Sequence, residues 1–448
     1  MSESNKITAH SSGISYQDLI ASDRVPAPEV LKLTNPIDLP DVKVSISQFT
    51  SKEFHDLEME KLWPRVWQMA CREEEIPNVG DHIVYEIGKY SIIVVRTDEG
   101  IKAHHNACLH RGRRLRDRDG SVGQFTCPFH GFTWKLDGSL KHIPSRWDFP
   151  DIEDEKFCLP GAHVGTWGGW VFINMSSDQP EPLMDFLGVL PEHFEVWQPE
   201  NCYTSAHVGK IMKANWKVVQ EAFMEAYHVI MTHPQLLAGV GDENSQYDVW
   251  GNISRAITPN GTPSPHINFV PSEQDMFDAI TDRRADGPPV AELPQGMTAR
   301  AMSAAGARSM LNGVVDREVS DAELADSIYY SVFPNFHPWC VFNRIQYRFR
   351  PYGDDPDKSI MEVYFLSPFK GERPAPAKLN MLNEDQDWTD AEELGMLARV
   401  FNQDSMNIPN VQIGLHATQA ESPVFARYQE SKIRHFHYLL DQWIYHKD

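Results

Sequence analysis

The sequence predicts an α+β protein in two parts: a small all-β domain, then a larger domain that mixes strands with helices. Three observations carry this expectation. From Trp67 to Asn174 the apolar residues fall in short β-branched runs separated by turn dipeptides. From Tyr203 onward strand-like runs alternate with helical ones. At 448 residues and 41% hydrophobic content the chain exceeds one small domain and can bury a substantial core. The expected division is an arm and helix over 1–63, packing on the second domain, an all-β domain over 64–176, and an α+β domain over 177–448.

Residues 1–45 carry several prolines and little periodicity, which reads as an arm. Phe54, Leu57, Met59, Leu62 and Val66 have helical spacing, with Ser51 placed to start a helix and Pro64 to bend or end it. Residues 83–87 and 90–96 read as strands joined through Gly88-Lys89, and Asp98-Glu-Gly100 and Asp137-Gly138 as turns. Residues 132–136 and 138–140 read as a hairpin, and 167–174 as a closing strand. An acidic, proline-rich connection with one helix follows over 178–199. Residues 203–216 read as a strand that yields to a helix at Asn215. The stretch 251–325, which includes Asp286-Gly-Pro-Pro289, reads as mobile loops with one or two helices. Strand character returns at 327–336, 340–350 and 360–368. Segments 389–407 and 421–445 read as helices, the first opened by a capping box at Thr389-Asp-Ala-Glu392. The second carries an apolar stripe of Phe425, Tyr428, Phe436, Leu440 and Trp443.

Lys and Arg total 41 against 63 Asp and Glu, a net charge of −22. Phosphate backbones repel such a surface, so a nucleic-acid partner is not expected. No run of about 18 apolar residues suggests a membrane span, and the polar N-terminus lacks a signal-like apolar core. Six cysteines, four of them scattered, read as free thiols in a reducing cytoplasm.

Chemistry concentrates between residues 108 and 131. Cys108-Leu-His110 is followed, sixteen residues later, by Cys127-Pro-Phe-His130-Gly131. Two thiolates and two imidazoles suit a soft or borderline metal. A tetrahedral zinc site is one reading, and a non-enzymatic zinc-binding module the function it would imply. The other is a Rieske [2Fe–2S] cluster, in which two Cys hold one iron and two His the other. Zinc fingers usually pair like with like; here each loop offers one Cys and one His, as a cluster wedged between two loops requires.

Cys108-x-His110-Arg111-Gly112 and Cys127-Pro128-x-His130-Gly131-x-x-Trp134 resemble the Rieske segment of the oxygenase alpha subunit of Rieske non-haem iron oxygenases, the aromatic ring-hydroxylating family. The resemblance implies a Rieske domain with Cys108, His110, Cys127 and His130 as cluster ligands. It also implies a helix-grip (START/Bet v1-like) catalytic domain, with a curved antiparallel sheet wrapped on a long C-terminal helix.

A second motif lies in Asn215–Pro234. On an α-helix Glu221, Glu225 and His228 share one face, while His233 follows at a spacing that a perfect helix rotates away. Pro234 disfavours helical geometry at His233 and can swing it back. Two imidazoles plus one carboxylate make the facial triad of non-haem Fe(II) oxygenases. Asp404, on an otherwise apolar helix face, is the candidate third ligand, because a lone buried carboxylate is costly unless paired or metal-bound. The segment around it resembles the family's late acidic motif. In the family an Asp three residues before the first His bridges to a Rieske His of the neighbouring subunit. Here that position is Glu225, one methylene longer, and Glu221 remains an alternative carboxylate. Asn215 and Tyr227 are further candidates for residues supporting the site.

The resemblance thus implies the terminal oxygenase component of a multicomponent system, using O2 and electrons from NAD(P)H through a separate reductase or ferredoxin. The substrate would be a small aromatic or alicyclic compound, hydroxylated by a dioxygenase or monooxygenase reaction. Family members that oxidise quaternary amines tolerate Glu at the bridge, so a monooxygenase or demethylase of quaternary amines, methoxy or N-methyl compounds is the alternative. A homotrimer, with or without a beta subunit, is implied by the bridge between subunits. Arg111, Arg113, Arg114, Arg116 and Arg118 beside the first loop can dock an acidic electron donor, unless Asp117 and Asp119 neutralise them. Phe223, Met224, Phe333 and Phe336 are candidate walls of an apolar pocket.

Overall fold

The Ile- and Val-rich runs near residues 83 and 92 pair through the turn at Gly88-Lys89, where Gly88 takes φ +52°. The computed structural model describes residues 11–39, 42–282 and 291–446; the first ten residues of the expected arm and the turn Asp286-Gly-Pro-Pro289 lie outside the described residues. The described residues form two compact units, one of His55–Phe186 with Pro351–Asp354, the other of the remaining described chain.

The first unit is mostly sheet. Helix α1 (Lys52–Lys61) starts where Ser51 Oγ accepts the Phe54 amide at 3.1 Å and stops three residues short of Pro64. Strands β1 (Gln68–Arg72), β2 (Asp81–Ile87), β3 (Tyr90–Thr97), β4 (Gly100–His105), β5 (Gly120–Ser121), β6 (Phe125–Thr126), β7 (Thr133–Trp134), β8 (Leu140–His142), β9 (Gly161–Trp167) and β10 (Trp170–Asn174) follow. A seven-stranded sheet runs β1-β10-β9-β4-β3-β2-β5, and β6-β7-β8 forms a small second sheet. The expected closing strand is a hairpin instead: Trp167 ends β9, and Gly168 and Gly169, at φ +60° and +78°, turn the chain into β10. Two successive positive-φ glycines make the turn whose twist suits a two-residue hairpin. The core holds Ile93, Val95, Phe125 and Trp134, together with Cys108 and Cys127.

In the second unit an eight-stranded sheet runs β12-β13-β14-β15-β16-β17-β11-β18. Its strands are β11 (Cys202–Met212), β12 (Gln246–Trp250), β13 (Ile253–Thr258), β14 (Ser327–Val332), β15 (Phe336–Pro338), β16 (Ile345–Tyr352), β17 (Asp355–Pro368) and β18 (Asn380–Leu382). Alternation along β11, β16 and β17 sends Val208, Tyr347, Phe349, Met361 and Val363 into the main core. Helices α2 (Trp216–Glu221) and α4 (Leu397–Ala417) add Val218, Val219, Phe401 and Ile408 to it. Helix α3 (Val229–Thr232) lies between them in sequence, and α5 (Ser431–Asp441) closes the chain. The arm packs on this unit: Gln17 Nε2 donates to Gln246 Oε1 at 2.8 Å, and the Asn35 amide to Asp248 at 2.6 Å.

Several expected elements differ. The 178–199 connection holds two short helices, Leu183–Leu187 and Leu190–Phe194. Residues 251–325 contain β13 and three helices, Glu273–Asp282, Ala299–Leu311 and Asp321–Ala325. Arg300 pins this stretch, with its guanidinium 2.6 Å from Asp23 and 2.9 Å from Asp326. Cys340–Arg344 is a turn with Arg344 at φ +65°, so the strand starts at Ile345. Thr389-Glu392 lies in tight turns, and α4 begins only at Leu397, then runs through Pro409 to Ala417. The long helix of this unit is thus α4; the terminal α5 is shorter, and Phe425 and Tyr428 precede it.

Candidate metal centres

The two Cys/His loops of the first unit are built alike. In the first, the Gly112 amide donates to the Cys108 carbonyl at 2.9 Å and the Cys108 amide to the Arg113 carbonyl at 2.8 Å. In the second, Gly131 donates to Cys127 at 3.0 Å and Cys127 to Phe132 at 2.8 Å. Gly112 and Gly131 sit at φ +76° and +78°, a conformation side chains resist, and this closes each loop over its own cysteine. The thiols are free and buried. Burial pushes the Cys108 thiol above its ordinary pKa, and the neighbouring Cys127 adds to this. The His110 and His130 rings lie 4.7 Å apart at 72°, with His110 stacked on Phe132 at 4.6 Å. His110 Nδ1 is buried with no hydrogen-bond partner, as expected of an atom reserved for a metal.

The two thiolates and two imidazoles are the donor set of a dinuclear cluster with thiolates on one iron and imidazoles on the other.

The second centre is in the other unit, where His228, His233 and Asp404 offer ligand atoms all within 4.8 Å of one another. Asp404 Oδ1 lies 2.9 Å from His233 Nε2 and 3.6 Å from His228 Nε2. Ligands at right angles on one metal are separated by about 3 Å when each bond is about 2.1 Å. The tautomers also fit. A carboxylate can only accept, so His228 Nδ1 donates to Glu225 Oε1 at 2.7 Å, which leaves Nε2 its lone pair. Gln403 Oε1 accepts from Gln235 at 2.8 Å and faces His233 Nδ1 at 3.0 Å, so His233 is turned the same way. In the metal-free protein burial opposes charge on His228, but the Glu225 and Asp404 carboxylates outweigh it and raise its pKa to about 9, so Nε2 then carries a proton that a bound metal would displace. Two outward-protonated imidazoles and a buried carboxylate suit Fe(II).

Local structure explains the convergence. The expected continuous helix breaks: α2 ends at Glu221, and residues 222–228 form irregular turns before α3. His233 terminates α3 at φ −127°, as required before Pro234. Asp404 faces inward from α4, 4% exposed.

The supporting residues redistribute. Asn215 caps α2, accepting the Lys217 amide at 3.1 Å and donating to Pro356 O at 2.8 Å, and makes no contact with the triad. Tyr227 is 45% exposed; the turn before α3 points it outward. Glu221 receives His437 Nε2 at 2.7 Å rather than a triad histidine. Glu225 is the carboxylate on His228, and its Oε2 also accepts the His228 amide at 2.9 Å. Tyr247, whose hydroxyl accepts the Ala226 amide at 3.1 Å, and Gln403 were not expected. Gln403 could have been suspected from its place beside Asp404; Tyr247 lies too far along the chain to carry any local signal.

Three of the loop arginines are engaged: Arg113 with Asp117 at 2.8 Å, Arg114 with Glu86, and Arg116 with His82 at 3.0 Å. Arg111 and Arg118 are exposed, Arg111 over the Phe129 ring at 5.3 Å. Of the expected pocket walls, Met224 and Phe333 line a small cleft, while Phe223 packs into the main core and Phe336 is buried.

A thiolate–imidazole loop pair on a β-rich unit, with a two-histidine, one-carboxylate triad on an α+β unit, defines an iron–sulfur, non-haem iron protein. The family models agree: a Rieske [2Fe-2S] domain matches residues 66–152, and the ring hydroxylating alpha subunit (catalytic domain) matches residues 192–446. The chain belongs to the ring-hydroxylating alpha-subunit family, whose cofactors are a Rieske [2Fe–2S] cluster and a mononuclear iron. It is 32% identical over 191 residues to the glycine betaine monooxygenase oxygenase subunit of Pseudomonas aeruginosa, covering 42% of this chain and 44% of that one. It is 32% identical over 231 residues to the anthranilate 1,2-dioxygenase large subunit of Acinetobacter baylyi, covering 46% and 48%. These matches span about half the length of the curated relatives. Among solved structures, a quaternary ammonium Rieske monooxygenase in complex with L-carnitine matches with TM-score 0.63 at 17% identity, covering 90% of this chain and 95% of that one. A naphthalene 1,2-dioxygenase from Rhodococcus sp. matches with TM-score 0.58 at 20% identity, covering 90% and 94%. At these identities the structures speak for the fold.

Proposed function

We propose that the chain is the terminal oxygenase component of a multicomponent Rieske oxygenase. The observation that carries this reading is the His228/His233/Asp404 triad in a chain that also bears the Cys108/His110/Cys127/His130 loops. When bound, the cluster supplies single electrons and the mononuclear iron supplies dioxygen activation beside an organic substrate. The chain's own residues prepare that chemistry. Cys108 and Cys127 would hold one iron of the cluster, and His110 and His130 the other. Glu225 fixes the His228 tautomer and Gln403 that of His233, so both Nε2 atoms face Asp404. Glu225 is also the bridge to a Rieske histidine of a neighbouring subunit in a homotrimer, with or without beta subunits. Arg111 and Arg118 offer positive charge to an acidic reductase or ferredoxin that draws on NAD(P)H.

The substrate is an aromatic or alicyclic compound, hydroxylated on its ring. The second reading, oxidation of a quaternary amine, is favoured by Glu225 at the bridge and by the two relatives named for betaine and carnitine oxidation. Hydroxylated ring product or released aldehyde separates the two readings.

The test is anaerobic purification, dithionite reduction, electron paramagnetic resonance, and iron and sulfide analysis. The expected result is a Rieske signal with about three irons per chain, two from the cluster and one mononuclear. H228A and D404A should keep the signal and lose about one iron. Zinc without a signal in reconstituted protein would overturn the reading.

A further inference from the structure

His233 is held at both ring nitrogens by consecutive residues of α4. Asp404 Oδ1 lies 2.9 Å from Nε2, and Gln403 Oε1 lies 3.0 Å from Nδ1. The residue is 3% exposed, so these neighbours rather than solvent set where its protons sit. Behind Gln403 stands Gln235. Pro234 turns the chain after His233 into a single tight turn, Pro234–Leu236, which brings the Gln235 side chain onto Gln403. The two amides pair reciprocally: Gln235 Nε2 donates to Gln403 Oε1 at 2.8 Å, and Gln403 Nε2 donates to Gln235 Oε1 at 3.3 Å. Nearby, Asn407 Nδ2 donates to Thr232 Oγ1 at 3.2 Å, so residues on either side of His233 in the chain are tied to α4.

A carboxamide has one accepting end and one donating end. Turning both amides end for end keeps both bonds between them, because each donor meets an acceptor again. It does not keep the bond to His233. The Gln403 NH2 would then face Nδ1, which would have to accept. The ring proton would sit on Nε2, where a metal needs the lone pair. The two amides therefore turn only together, and the group that position 235 presents at 2.8 Å decides which end of Gln403 meets His233. A donor there holds the metal-competent arrangement. An acceptor there repels Gln403 Oε1 and favours the other.

We propose that Gln235 is a positioning residue of the mononuclear metal centre: its amide orients Gln403, and through Gln403 it selects the His233 tautomer that can ligate at Nε2. This inference rests on the oxygenase reading, in which His233 is an iron ligand, and adds a residue that acts on that ligand only through another side chain.

Charge and hydrogen bonding give opposite expectations at position 235. By Coulomb attraction alone, Q235E would tighten the binding of a nearby cation and Q235K would weaken it. By the amide coupling, Q235K keeps a donor on Gln403, whereas Q235E replaces the donor with an acceptor. The test uses the full-length protein with its cluster in place. Fe(II) affinity is measured anaerobically by competition against a chelator, and occupancy by electron paramagnetic resonance of the nitric oxide adduct with the cluster oxidised. Q235E is expected to weaken Fe(II) binding by about ten-fold or more, and Q235K to retain an affinity close to wild type. Q403E, an acceptor toward both His233 Nδ1 and Gln235 Nε2, is expected to bind at least as tightly as wild type. Melting curves on the same samples verify folding; if Q235E does not fold, Q235K and Q403E decide the matter, because a role in packing alone would cost affinity in both. Wild-type affinity in Q235E, tighter binding in Q235E than in Q235K, or loss of iron in folded Q403E would overturn the proposal. Wild-type protein with an intact cluster signal and no mononuclear iron would instead overturn the oxygenase reading, and this inference with it.

Discussion

Glu225 reaches His228 through both of its oxygens, one to the ring at 2.7 Å and one to the amide at 2.9 Å. Its extra methylene relative to Asp is absorbed by the irregular turn between α2 and α3, so the carboxylate still orients the ring. E225Q is therefore expected to lower Fe(II) affinity or turnover by about 10–100-fold, and E225D by less; competition against a chelator and oxygen consumption measure these. Asn215→Ala tests the helix-cap role of that residue: loss of about 1 kcal/mol of stability, with unchanged iron content. Glu430 gives a pH signature. Burial, reinforced by Glu225 and Glu221, pushes its carboxyl up to about 7. In the unfolded chain it ionises near 4.5, so folding is opposed increasingly as pH rises from about 4.5 to 7. E430Q should flatten the stability profile in that window and stabilise the protein above it, as read from melting curves. Among single residues, the cysteines and histidines were legible because each pair lies within a few positions along the chain, and Pro234 announced the turn at His233. Adjacency to His228 did not reveal that Tyr227 is exposed, because side-chain direction is lost once the helix gives way to a turn.

At the scale of elements, β11, β16 and β17 carry charge into the interior opposite their apolar face. Arg348 grips Glu362 with two nitrogens at 2.7 and 2.8 Å, Arg350 adds contacts at 2.9 and 3.1 Å, and His207 lies 3.3 Å away. Burial works against the Glu362 charge, but the two guanidinium groups outweigh it and hold the carboxyl well below its usual range. That stability is present above about pH 4.5 and is lost as pH falls toward the depressed folded value. E362Q, which strands the arginines, is expected to cost about 3–5 kcal/mol, measured by denaturant unfolding. Strand alternation at 347–350 was legible; the cluster across three strands was not, because His207 joins it from 155 positions away. One or two helices were expected within 251–325, but not how they are held, because their anchor, Arg300, finds Asp23 and Asp326 only in the folded chain.

At the scale of the molecule, the two units follow the contrast between a β-rich first half and a mixed second half that the sequence displays. Exposed Arg111 and Arg118 put local positive charge beside the first loop of a chain whose net charge is −22, so reduction by an acidic donor should slow as salt rises, and R111E/R118E should abolish that dependence at low salt. Metal binding is coupled to folding. Removal of iron with a chelator should lower the melting temperature, because a ligand at 1,000 times its Kd adds about 4 kcal/mol.

Pro409 lies within α4, one turn beyond Asp404. Having no N–H, it leaves the Ser405 carbonyl without its helical donor. The helix therefore lacks one internal hydrogen bond just past the turn that carries Asp404. P409A would restore that bond, and slower amide exchange across residues 404–410 would record the stiffening.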